Sequence, residues 1–111
     1  LEWAHHRDHR DAGGGVMDYE GAVIEGQDFS GQDLSGANFR GALASGCDFT
    51  DAVLANADFR GAVLAGASFR GADVSGADYR GARLTGADFT DATTTGSAWD
   101  GADVRGVIGR T

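Results

Sequence analysis

The side chains able to do chemistry in this 111-residue chain are few and badly placed for catalysis. His5, His6 and His9 crowd the start, and His5 and His9 stand four apart beside Asp8, a spacing that would set two imidazoles on one helical face as a metal pair. A third firm ligand is missing, so solvated histidines are the plainer reading and no metal is expected. Cys47 is the only cysteine, which excludes an intramolecular disulfide, and a small buried residue is a simpler role for it than a reactive thiol. No nucleophile, base and orienting acid stand together, so no enzyme and no cofactor are expected. Carboxylates are the abundant functional group. Seventeen acidic side chains face nine basic ones, all arginine, and the formal charge of -8 excludes an electrostatic grip on nucleic-acid phosphate and suits a basic protein partner.

The elements that must position these groups follow from an internal repeat. Stepping by ten from Tyr19 meets Phe29, Phe39, Phe49, Phe59, Phe69, Tyr79, Phe89 and Trp99. The midpoints are Ile24, Leu34, Ala44, Leu54, Leu64, Val74, Leu84, Thr94 and Val104, so the true period is five and there are eighteen pentapeptides. Two residues before each centre stands alanine in thirteen of the eighteen, which marks a cramped inward slot. Two residues after it stands glycine in fifteen, and the substitutes Asp51, Asn56 and Asp91 are the types that best tolerate a left-handed backbone. That slot is a corner. Between corners the chain runs extended, so the small residue and the centre point inward while the residues flanking the centre point outward.

Short extended sides joined by tight corners, with no insertion, must coil. The pattern resembles the pentapeptide-repeat family, as in Ala57-Asp58-Phe59-Arg60-Gly61 and Ala77-Asp78-Tyr79-Arg80-Gly81. The resemblance implies an all-β fold, a right-handed quadrilateral β-solenoid with twenty residues per turn. Repeats over residues 17–106 would make about 4.5 coils, a rod of roughly 22 Å at about 4.8 Å per coil. Residues 1–16 carry no repeat and are expected to cap the first coil, with a short helix over Glu2 to Arg10 and Trp3 laid on the open end; residues 107–111 form a tail. No apolar run approaches the ~20 residues of a membrane span and no secretory signal stands at the start, which points to the cytoplasm and to no membrane.

Twenty residues per turn sort the outward side chains onto four faces, numbered in chain order from the face centred on Tyr19. The third and fourth faces, centred on Phe29 and Leu34 and their stacked equivalents, carry Asp28, Asp33, Asp48, Asp51, Asp73, Asp88 and Asp91 against Arg70, a net -6. The first face, where Arg40, Arg60 and Arg80 answer most of the acids, nets -2 and the second nets zero. The acidic half is therefore the candidate partner face. On the second face Val23, Leu43 and Val63 stand where the motif expects Asp or Asn, an apolar ladder that is a candidate contact surface. The expected role is non-enzymatic, protein binding or scaffolding. The resemblance supplies an alternative, because acidic family members imitate duplex DNA, bind DNA gyrase and protect it from inhibitors. A duplex carries one charge per ~1.7 Å, about thirteen over the rod, which exceeds the net -6. A homodimer is expected, either end to end through Val107 and Ile108 or laterally through Val23, Leu43 and Val63.

Overall fold

The computed structural model describes residues 17–110. The proposed cap, with Trp3, His5, His6 and His9, lies outside the described residues, as does Thr111. Among the described residues there is no helix; the chain is a succession of single bridged positions and turns. Each bridge is parallel and joins residues twenty apart, as Asn38, Asp58 and Asp78 are joined in sequence. The chain therefore returns to the same side every twenty residues, as the period requires.

In the repeat Ala57 to Gly61 every backbone donor finds an acceptor. The Ala57 amide donates to Leu54 O at 3.0 Å and closes the preceding corner as a β-turn. Asp58 donates down to Ala37 O at 2.9 Å, while Phe59 and Gly61 donate up to Asp78 O and Arg80 O at 2.7 and 3.1 Å. The fifth amide, of Arg60, meets no backbone carbonyl; it donates to Oδ1 of Asp58 at 3.1 Å. A positive φ at the third position of the turn is what a type II corner needs. Asp51, Asn56 and Asp91 supply it at 60, 62 and 62°. Their side chains constrain the next coil, because a Cβ added at Gly71 or Gly76 would run into Oδ1 of Asp51 or Asn56. The corner column Gly31, Asp51, Gly71, Asp91 alternates accordingly.

The interior is two interlocked aromatic columns flanked by aliphatic ones. Tyr19, Phe39, Phe59, Tyr79 and Trp99 stack at 4.6 to 5.0 Å between ring centres. Phe29, Phe49, Phe69 and Phe89 form the opposite column at 4.6 to 5.2 Å. Across the axis the columns meet edge to face, Phe49 lying 5.6 and 5.7 Å from Phe39 and Phe59 with the planes 88 and 83° apart, an arrangement that sets ring edges against ring faces. Ala44 is fully buried, whereas Thr94, in the last coil, is half-buried. Cys47 is a buried member of the cramped column; its Sγ donates to Ile24 O at 2.9 Å and burial raises its pKa. One polar atom of this interior lacks a partner, the hydroxyl of Tyr79.

Candidate binding surface

The outward aspartates occupy one slot, immediately before the centre, and the geometry gives them a task that the sequence reading missed. In eleven of the eighteen repeats the side chain there accepts the amide two residues on, satisfying the one donor that the coil ladder leaves over. Asp, Asn38 and Ser68 all do this, as short oxygen-bearing side chains do in Asx and ST turns. The signal was legible, since Asp, Asn and Ser recur two residues before the same amide. Where Val23, Leu43, Val53 and Val63 stand instead, the amides of Glu25, Ser45, Ala55 and Ala65 have no side-chain acceptor among the described residues. The apolar ladder thus combines exposed side chains, Val23 being 70% exposed, with amides left to water.

Carboxylates in that slot have a second oxygen, and its surroundings divide the molecule. On the first face Arg60 grips Asp58 with Nε on Oδ1 at 3.0 Å and Nη2 on Oδ2 at 2.8 Å, and its Nε lies 3.7 Å from Asp78 in the next coil. Arg80 grips Asp78 in the same way, Nη2 to Oδ2 at 2.6 Å, and Arg40 lies 3.9 Å from Asp58. The result is an alternating ion-pair mosaic. The Arg60 guanidinium lowers the pKa of Asp58 against the opposing effect of burial, and Arg80 does so for Asp78. On the second face Arg105 pairs with Asp103 at 2.6 Å and draws its pKa down to about 2.

The third and fourth faces differ. Asp28, Asp33, Asp48 and Asp73 each place Oδ1 on their own turn, and Oδ2 meets no arginine among the described residues. The Ser30, Ser35 and Ser75 hydroxyls, followed by the same residues' amides, lower the pKa of Asp28, Asp33 and Asp73, so these carboxylates are firmly ionised. Asp88 is the exception, with Arg70 on Oδ2 at 3.0 Å. The bridges set Asp28 next to Asp48 on the third face. On the fourth, Asp33 and Asp73 are separated by Val53. Asp51 and Asp91 stand at corners of the third face, exposed. The structure thus brings the seven predicted acids onto two adjacent sides of the solenoid. No group of histidine, cysteine and carboxylate side chains among the described residues is placed to hold a metal ion.

Of the expected contact residues, Val23 and Leu43 are exposed and Val63 is partly covered. Val107 packs against the core, and Ile108 is 54% exposed while continuing the ladder through a bridge to Asp88.

A solenoid of bridged pentapeptides with aromatic and aliphatic centres defines the class, and comparison with known proteins places the chain within it. The family profile described as pentapeptide repeats matches residues 20–51, 45–80 and 67–106, and the chain belongs to this family. Among solved structures it is similar to a pentapeptide repeat protein of the Arabidopsis thaliana thylakoid lumen, at 34% identity and a TM-score of 0.62 over 80% of this chain and 66% of that one. It is also similar to QnrB1, a plasmid-mediated fluoroquinolone resistance protein, at 27% identity and a TM-score of 0.61 over 77% of this chain and 59% of that one. A third is the pentapeptide repeat protein Rfr23 of the cyanobacterium Cyanothece 51142, at 28% identity and 0.53, over 78% and 63%. The chain thus spans about three fifths to two thirds of the length of these relatives. No curated protein matches it.

Proposed function

We propose that the chain is a non-catalytic binding solenoid whose protein partner presents a basic surface to the third and fourth faces. The observation that carries this reading is the set of unneutralised Oδ2 atoms of Asp28, Asp33, Asp48 and Asp73, beside an equally acidic slot on the first face that arginines have closed. Charge of one sign on one side of a rod steers and orients a basic partner, and its effect fades with salt. Asparagine tests the idea cleanly, because Asn38 shows that an amide oxygen serves the turn as well as a carboxylate does. Affinity capture with the Asp28→Asn, Asp48→Asn, Asp73→Asn variant should lose the partner, whereas Asp58→Asn, Asp78→Asn should keep it. Equal capture by both variants refutes the asymmetry.

Similarity to QnrB1, a fluoroquinolone resistance protein, favours a more specific second reading, in which the partner is DNA gyrase and the acidic faces imitate duplex DNA. A supercoiling assay with purified gyrase, with and without a quinolone, decides it. Protection that the triple asparagine variant loses supports the reading; no effect of the wild-type chain at a tenfold molar excess sinks it.

A further inference from the structure

The aromatic column of Tyr19, Phe39, Phe59, Tyr79 and Trp99 has an occupied rung beyond Trp99. Trp99 stacks on Tyr79 at 4.6 Å, and on its ring lies the guanidinium of Arg110, Cζ 4.7 Å from the centroid. That spacing equals the ring-to-ring distance within the column, and a guanidinium is planar and stacks on aromatic faces as a ring would. Arg110 arrives there because the coil loses its register one residue earlier. Val107 and Ile108 still follow the repeat, and Phe89 donates to Ile108 O at 2.7 Å. Gly109 then stands where a centre belongs, with φ at +78°, and a Cβ on it would collide with the backbone of Thr90. The next ladder bond is missing: the Gly71 amide reaches Thr90 O at 2.9 Å, but the equivalent amide of Asp91 does not reach Arg110 O. Trp99 is meanwhile fixed by its Nε1, which donates to Ser97 Oγ at 2.8 Å, and that hydroxyl donates to Thr94 O at 2.7 Å.

We propose that Gly109 and Arg110 form a built-in stop, in which the guanidinium takes the rung that a second copy of this chain would need in order to stack end-on upon Trp99. A column repeating at 4.6 to 5.0 Å is complementary to itself, and an open rung is an invitation to a further copy. Arg110 fills the rung with a charge that a stacked aromatic column cannot bury without loss of hydration. The end-on pairing expected from sequence would have to displace it.

Sedimentation velocity, with Trp99 fluorescence read in a Trp3→Phe background, tests the stop. Arg110→Ala and Gly109→Val should each shift Trp99 emission and lower the dissociation constant for self-association at least tenfold. For Arg110→Ala this must happen although the formal charge of -8 becomes -9, a change that by itself opposes association. Arg110→Lys, which keeps the charge and loses the plane, should fall between. Unchanged association in both Arg110→Ala and Gly109→Val overturns the proposal whether or not the fluorescence moves, and an Arg110→Lys protein identical to the wild type overturns the role of stacking.

Discussion

The arginine-bearing first face and the acidic third face use the same aspartate for the same backbone task, and differ in what its second oxygen meets. Asp58 and Asp48 both hold the amide two residues on, at 3.1 and 2.9 Å. Asp58 then closes on Arg60, while Asp48 leaves Oδ2 to solvent. The repeat therefore fixes the position of a carboxylate without fixing its electrostatic fate. That fate mostly follows the residue just after the centre, arginine at 60 and 80, serine or threonine at 30 and 50; Asp88, followed by Thr90, is reached instead by Arg70 of the preceding coil. One slot serves the fold and the other tunes the surface.

If the faces differ only at the surface, the columns behind them should be equally important. Phe49→Ala and Phe59→Ala remove rings that are fully buried in the two columns, and each should cost about 3–5 kcal/mol in denaturant unfolding. A marked inequality would show that the faces are supported independently. Next in size, Asp58→Ala removes a turn acceptor and a partly screened ion pair and should cost about 2 kcal/mol, against about 1 for Asp48→Ala, which loses the acceptor alone. The Tyr79 hydroxyl, buried without a partner, should make Tyr79→Phe more stable by about 1 kcal/mol. A destabilised variant would mean that the hydroxyl has a partner.

Acid titration sharpens the comparison further. Asp58 and Asp73 are both held below the ordinary carboxyl range, the first chiefly by the Arg60 guanidinium and the second by the Ser75 hydroxyl. A depressed folded pKa means that the unfolded chain binds more protons as the pH falls below about 4, so the stability from each group is present above that and lost below it. For Asp103 the loss runs down to about 2. Concentrated salt should shrink the Asp58→Asn difference in this acid limb and leave the Asp73→Asn difference standing, because only the first depends on a charge pair. The smallest effect concerns the apolar ladder. Leu43→Asn supplies an acceptor for the Ser45 amide and should stabilise by a few tenths of a kcal/mol. No gain would show that water already serves that amide as well.

By itself the sequence determined the period, the inward columns, the corners and the face on which each acid stands. A coil of twenty residues turns position in the chain directly into position on the rod, so Phe49 must lie between Phe29 and Phe69. It also announced the Arg40, Arg60 and Arg80 ladder and the acidic half, because charge is additive and needs only the register. Tertiary structure decided what the oxygens do. Whether a carboxylate oxygen holds an amide or a guanidinium, or faces water, depends on distances of a few tenths of an ångström between a side chain and a donor, and some of those donors lie eighteen residues away, as with Asp88 and Arg70. It decided likewise that Gly109 abandons the repeat and lays Arg110 on Trp99, since that outcome rests on how closely the Gly109 backbone approaches Thr90 in the coil below.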